Sequence, residues 1–344
     1  MRDVDFTWPR ILASLAERRE LTPPQVRWAM EEMVQGRAGE AEAGAFLLGL
    51  RVKGETAGEL AAAALVLRAF MTGWHPGRDD VLDTCGTGGD QAGTFNISTA
   101  TAFVLAGAGV PVVKHGNRAV SSRCGSADVL SALGLSLEET GAQALRSLQH
   151  AGLAFCFAPN FHPALRHVAA VRKKLGIPSL FNSIGPLVNP AGARRQLVGV
   201  GAIQSLDLLA ETLVRLDTEH AFVVHGSDGL DEVTLAGPTH VREVRGGQIR
   251  RSTWTPEDFG LSPVSLDHVR VGDPAASAEV LRGVLRGEEG PPLRLVLANA
   301  AAGLLLAGRA ESLRAGVELA RQAVVSGRAL GVLEILMSLR KKEE

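Results

Sequence analysis

The sequence predicts an α/β fold in which a small helical domain precedes a larger domain built on a mostly parallel central sheet. Three observations predict it. Helical periodicity runs from Pro9 to about Met71. Beyond residue 78 short apolar runs alternate with helical segments, the pattern of strands joined by crossover helices. The stretch from Ala275 to Lys341 is helical, rich in alanine and leucine, and suited to cover a sheet face. A length of 344 residues also favours two domains over one.

The elements follow in order. Thr22-Pro23 reads as an N-cap and first-turn proline, with Val26, Met30 and Met33 at helical spacing behind it and Gly36 as the stop. Thr56-Ala-Gly-Glu59 is a capping box that opens a helix through Leu60, Ala64 and Leu67. The turn-rich segment Thr72 to Arg78 sets the boundary, giving a helical domain over 1–72 and an α/β domain over 73–344. Strands are expected near Val81 to Asp83, Val110 to Lys114, Leu153 to Phe157, Leu197 to Val200 and Ala221 to Val224. A hairpin around Gly246-Gly247 adds an antiparallel edge. A helix from Pro163 to Leu175 begins on an N1 proline and ends at Gly176.

Charge is balanced at a formal net of −1, so bulk electrostatics offer nothing to nucleic acid. The three cysteines, Cys85, Cys124 and Cys156, are too few and too dispersed for a disulfide framework or a metal site, and suit a reducing compartment. The N-terminus has no apolar signal region, and the most apolar stretch, Leu295 to Ala307, contains Asn299 and is too short to span a bilayer. These features predict a soluble, cytoplasmic protein with no membrane or nucleic-acid partner.

Chemistry is expected where polar loops follow strands. In Asp83-Thr-Cys-Gly-Thr-Gly-Gly-Asp90, Gly86, Gly88 and Gly89 clear one face of a loop, so that backbone N–H groups can converge on an anion. Ser98 and Thr99 sit where a following helix would start, aiming its positive end at the same place. The spacing is neither a dinucleotide-binding fingerprint nor a Walker loop, and glycines alone do not separate a phosphate cradle from a surface turn. Lys114-His-Gly-Asn-Arg118, with Ser121, Ser122 and Ser126 after it, supplies a cation and hydroxyls at the end of the next strand, on the same side of the sheet. Asp231-Glu232 is an oxygen-donor pair suited to Mg²⁺ if phosphates are present. Arg172 has the planar fork that recognises a carboxylate.

Together, Gly86-Thr-Gly-Gly-Asp90, Asn96-Ile-Ser-Thr99, Lys114-His-Gly-Asn-Arg118, Gly125-Ser-Ala-Asp-Val-Leu130 and Gly229-Leu-Asp-Glu232 resemble the anthranilate phosphoribosyltransferases, in order and with that family's spacing. His162-Pro-Ala and Asn182-Ser-Ile-Gly-Pro-Leu-Val-Asn-Pro190 extend the resemblance over nearly the whole chain. It implies a nucleoside-phosphorylase-like fold, a helical domain completed by residues of about 160–186, and a homodimer formed through that domain. It implies transfer of the phosphoribosyl group from 5-phosphoribosyl 1-diphosphate to the amine of anthranilate, with Mg²⁺ as cofactor.

The residues that this resemblance places on the sugar diphosphate are Gly86, Gly89, Asp90 and Thr94 from the first loop, Asn96, Ile97, Ser98 and Thr99 at the helix start, and Lys114, Ser122 and Ser126 beyond. Ser98, Asp231 and Glu232 would hold magnesium, and Lys114, Asp231 and Glu232 would carry the catalysis. Asn117 and Arg172 would bind anthranilate, with His115, Gly185 and Pro186 in its wall. The chain departs from the family pattern at Gln91, Cys124 and Ser183, where glycine, serine and an apolar residue are expected. Two substrates that must meet imply a hinge between domains. Two other readings are a pyrimidine nucleoside phosphorylase, for which Lys-His-Ser would be expected at Lys114, and a non-catalytic nucleic-acid-binding relative, against which the neutral charge and the acidic pair both stand.

Overall fold

A computed structural model describes residues 6–118, 124–137 and 140–341. Four helices open the chain: α1 (Trp8–Ala16), α2 (Pro23–Val34), α3 (Glu40–Lys53) and α4 (Ala57–Phe70). The capping signals act as anticipated. Glu59 Oε2 accepts from Thr56 N at 3.0 Å, completing the reciprocal cap of α4, and Gly36 takes a left-handed φ of 71° just beyond α2.

The larger part alternates strands and helices: β1 (Leu82–Gly86), α5 (Ile97–Gly107), β2 (Val112–Gly116), α6 (Ser126–Ala132), α7 (Gly141–Ala151), β3 (Leu153–Phe157), α8 (Ala158–Phe161), α9 (Arg166–Leu175), α10 (Leu180–Ile184), β4 (Arg195–Gly199), α11 (Ser205–Arg215) and β5 (His220–Gly226). The hairpin β6 (Thr239–Arg245) and β7 (Gln248–Trp254) follows. After it come α12 (Pro256–Phe259), α13 (Pro274–Arg286), α14 (Pro291–Leu306), α15 (Leu313–Val325) and α16 (Arg328–Lys341). The sheet order is β3-β2-β1-β4-β5-β6-β7, parallel from β3 to β5 and antiparallel across the hairpin.

Two local expectations shift. The first strand runs on to Gly86, because parallel pairing with β4 continues as far as Gly86 opposite Gly199. The segment after Pro163 opens as a 3₁₀ turn and becomes α-helical at Arg166.

Alternation along the strands divides the core. Leu197, Phe222 and Val224 face one side, packed with α5 and α13 to α16, whereas Val198, Ala221 and Val223 face the other, packed with α11 and the opening helices. The C-terminal helices therefore do cover a sheet face. On the other side α9 rests on α2 and α3, and α10 on α3 and α4, so residues distant in sequence join the opening helices in one apolar cluster. Among the described residues no single helix is long and apolar enough to cross a membrane.

The opening helices are fastened by one buried charge. Glu59 accepts from Leu21 N at 2.9 Å and pairs with Lys53 Nζ at 2.8 Å, and both side chains are at most 5% exposed. Removing one partner strands the other charge in the interior, at a cost of about 3 kcal/mol. Glu59→Ala should lower the urea-unfolding free energy by that amount. Lys174→Ala, which breaks a pair with Glu40 that is 67% and 61% exposed, should cost under about 1 kcal/mol. Equal losses in the two variants would show that Glu59 is not the fastening.

Candidate active site

The carboxyl ends of β1, β2, β3 and β5 open into a cleft of about 320 Å³, large enough for a small-molecule ligand. Its glycine-turn end is built on a pair of glycines. A Cβ on Gly86 would lie 2.5 Å from Asp231 Oδ2, and one on Gly199, its neighbour in the sheet, would overlap the Asp231 main chain. Only this bare pair lets the loop after β5 descend onto the strand ends. Asn299, fully buried on α14, pins that loop from behind: its Oδ1 accepts from Val233 N at 3.0 Å and its Nδ2 donates to Val233 O at 2.9 Å. Sequence reasoning used Asn299 only to argue against a membrane span. A lone amide in a long apolar helix was the available signal.

The loop lands on the glycine turn. Asp231 Oδ2 accepts from Gly88 N at 2.9 Å, and Glu232 Oε1 accepts from Ser98 N at 3.0 Å. This corrects the simple picture of open amides, because two of the expected anion donors are already engaged by acids. The N–H groups of Gly89 and Asp90 have no acceptor among the described residues. Gly88 and Gly89 take φ of 67° and 86°, and Gln91 takes 54°. The Gln91 departure from glycine therefore puts a side chain on a left-handed backbone, the conformation glycine serves without strain.

Helix α5 begins one residue earlier than expected, at Ile97, with Asn96 as N-cap. The Asn96 amide does not cap the helix. Its Nδ2 donates to Cys124 O, and its Oδ1 accepts from Cys124 Sγ, both at 3.3 Å. The second departure thus supplies a thiol where a hydroxyl is expected, and burial lifts that thiol to about 11.

Lys114, buried at the centre of the floor, donates to Thr84 O and to Ser98 Oγ, the latter at 3.1 Å. Burial raises Glu232 to about 7, against the pull of Lys114. Burial, then Asp90 and then Glu232 push Asp231 well above the usual carboxylate range.

Gly86, Gly89, Asp90, Thr94, Asn96, Ile97, Ser98 and Lys114 all line the cleft, as do Ser126, His115 and Asn117. Ile97 does so beside a side chain buried in the core. Thr99 does not line it. Its side chain is buried against a small cavity of about 20 Å³ behind Lys114, with no partner for Oγ1. One turn into α5 the side chain already faces inward. Ser122 lies outside the described residues.

The other end of the cleft is formed by Arg172, Phe181, Gly185 and Pro186. The Arg172 guanidinium sits 5.1 Å over the Phe181 ring, and burial lowers it with no carboxylate beside it among the described residues. Ser183, on α10, is not among the residues that line the cleft. His162, which sequence reasoning treated only as part of a motif, proves to be a wall residue, its ring 5.0 Å from that of His115. Its place in a His-Pro break a short way beyond the third strand is the available clue. His115 Nδ1 donates to Gly185 O at 3.2 Å, and Nε2 of both rings has no partner among the described residues.

Residues 78–330 match the model of the glycosyl transferase family a/b domain, and residues 9–71 that family's helical bundle domain. An anthranilate phosphoribosyltransferase of Nitrosospira multiformis is 47% identical over 336 residues, covering 96% of each chain. The chain belongs to the anthranilate phosphoribosyltransferase family. A crystal structure of a Thermus thermophilus member is 39% identical, with a TM-score of 0.90 over 96% of this chain and 99% of that one. The Saccharomyces cerevisiae member, solved in complex with PRPP and Mg, is 26% identical, with a TM-score of 0.89 over 97% and 98%.

Burial lowers His115 to about 3, helped by His162, and lowers His162 to about 4. Above the ordinary value of 6.5 both rings are neutral, folded or unfolded. Below it the unfolded chain takes up protons that the folded pair refuses, so stability is lost as pH falls towards 4. Between pH 6.5 and 5 each histidine should remove about 2 kcal/mol of unfolding free energy. Urea titrations at several pH values should show this slope and should show it flattened in His115→Gln/His162→Gln. An unchanged slope in the double variant would assign the acid sensitivity elsewhere.

Proposed function

We propose that this chain transfers the phosphoribosyl group of 5-phosphoribosyl 1-diphosphate to the amine of anthranilate, giving N-(5-phosphoribosyl)anthranilate and pyrophosphate, the second step from chorismate to tryptophan. The observation that carries the reading is the polarity of the cleft. One end combines a glycine turn, Lys114 and the acids Asp90, Asp231 and Glu232, and the other offers Arg172 with no acidic partner among the described residues. The phosphorylase and nucleic-acid readings give way to it.

In this reading the C1–O bond to the diphosphate breaks, the C1–N bond forms with inversion, and the amine loses a proton. Anthranilate's aromatic amine is unprotonated near neutral pH, so no strong base is needed. Neutral His115 and His162 suit a wall that leaves it so. Arg172 would take the anthranilate carboxylate, with Asn117, Gly185 and Pro186 beside it. At the donor end Lys114 and the glycine-turn amides would stabilise the charge that collects on the departing diphosphate. Ser122 and Ser126 would add hydroxyls.

Asp231 and Glu232, with Ser98, would hold magnesium. The fit rests on the donor set: hard carboxylate oxygens crowded closely enough to raise one another. Bound there, the ion would add positive charge beside the leaving group. No group of three or more His, Cys, Asp or Glu suited to a metal occurs among the described residues, so phosphate oxygens would complete the coordination. The functional units would be 1–72, completed by about 160–186, and 73–344, with the cleft between them. Exposed Leu48 and Val52 on α3 and Leu65 on α4 support a homodimer through the helical unit, and three buried free thiols support a cytoplasmic setting.

Loss of anthranilate fluorescence should require both 5-phosphoribosyl 1-diphosphate and magnesium; turnover of thymidine with phosphate instead would overturn the reading. Asp231→Asn or Glu232→Gln should lower kcat/KM on the order of 100 to 1,000-fold and alter the magnesium response. Arg172→Ala should raise KM for anthranilate far more than for the sugar diphosphate. Equal rises in both would remove Arg172 from the acceptor site.

A further inference from the structure

The two ends of the cleft are joined beneath the floor by a buried polar pair that none of the proposed site roles includes. Asp83, on β1, has no exposure at all. Its Oδ1 accepts from His115 N at 3.2 Å, and its Oδ2 accepts from Asn189 Nδ2 at 2.8 Å. The same Nδ2 donates to Val113 O at 2.8 Å, and Asn189 Oδ1 accepts from Ala191 N at 2.9 Å. The pair therefore grips the main chain of β2 on both sides of Lys114, at Val113 and at His115. Asn189 also ends the segment that carries Gly185, whose carbonyl accepts from the His115 ring. Every donor and acceptor of the Asn189 side chain that points at protein has a specific partner, and a buried carboxylate is retained here although an apolar pair of the same volume would avoid its desolvation.

We infer that Asp83 and Asn189 are positioning residues that fix the spacing between the donor end of the cleft, at Lys114 on β2, and its acceptor wall, at Gly185 and Pro186 on the segment that Asn189 ends. The inference rests on the transferase reading, because only a reaction between two separately held substrates makes that spacing matter. Neither residue lines the cleft, so neither contributes to binding one substrate alone. Their effect is on how closely the amine is held to C1, and a displacement of about 1 Å in such a geometry costs about 100-fold in rate.

The test uses Asp83→Asn, which sets an amide donor against the Asn189 amide, together with Asn189→Ala and the double variant. Folding is checked by circular dichroism, substrate affinities by titration calorimetry with each substrate singly, and turnover by the fluorescence assay. The expected result is a kcat about 100-fold lower in each single variant, with both dissociation constants within about threefold of wild type. The double variant should be no worse than the poorer single one, as for residues acting as a unit. If Asp83→Asn does not fold, Asn189→Ala decides by the same readings. Folded variants with wild-type kcat, or a loss confined to the affinity for one substrate, would overturn the inference. An inactive wild type would overturn the transferase reading and this inference with it, whereas an active wild type with active variants would overturn this inference alone.

Discussion

The donor end of the site depends on a close approach that two side chains would forbid. Gly86 and Gly199 lie opposite each other on adjacent parallel strands, and the main chain and carboxylate of Asp231 occupy the space their Cβ atoms would fill. Once the loop is seated there, Asp231 can reach the Gly88 amide and Glu232 the Ser98 amide, so the acids order the turn and the start of α5 together. The bond pair from Asn299 makes the seat rigid from the opposite side. A loop held from both sides delivers its carboxylates to fixed places, which is what a preorganised site requires.

That arrangement crowds negative charge. Asp90, Asp231 and Glu232 gather near one buried lysine, and burial first, then the neighbouring carboxylates, raise Asp231 and Glu232, in the latter against the pull of Lys114. Such a cluster of carboxylates is eased by a divalent cation with further oxygen ligands around it. The acceptor end is opposite in character. Its imidazoles are held neutral by burial, and its cation, Arg172, stands over an aromatic ring with no acid beside it among the described residues. One cleft thus joins an acid-rich end and an end whose cation lies over an aromatic ring without an acid beside it among the described residues.

What the sequence disclosed, and what it hid, divides along the range of the interactions. The Thr56 capping box, the Gly36 stop and the alternation of strands and helices are local, and each appears in the structure within a few residues of its expected place. The motifs around Gly86, Lys114 and Asp231 were legible because their residue types are chemically unusual in loops. Partnerships across the sheet were not. Nothing in Asp231 announces Gly199, nothing in Asn96 announces Cys124, and the buried face of α5 at Thr99 follows from where α13 to α16 pack rather than from the motif that contains it. Asp83, Asn189 and Asn299 are ordinary polar residues until the topology buries them against specific main-chain groups.

The segment from α10 to Ala191 shows why the helical layer matters to the chemistry. Arg68 of α4 donates to Leu187 O at 2.7 Å, Gln196 of β4 donates to Pro186 O at 2.5 Å, and Asn189 ties the next turn to β1 and β2. Gly185 and Pro186, which form the acceptor wall, are therefore held between a helix of the opening layer and the strands of the sheet. Any shift of α4 relative to the sheet must be taken up in this short stretch. The bonds from Gln196 and Asn189 hold it to the same sheet that carries Lys114, so the wall and the floor of the cleft share one frame.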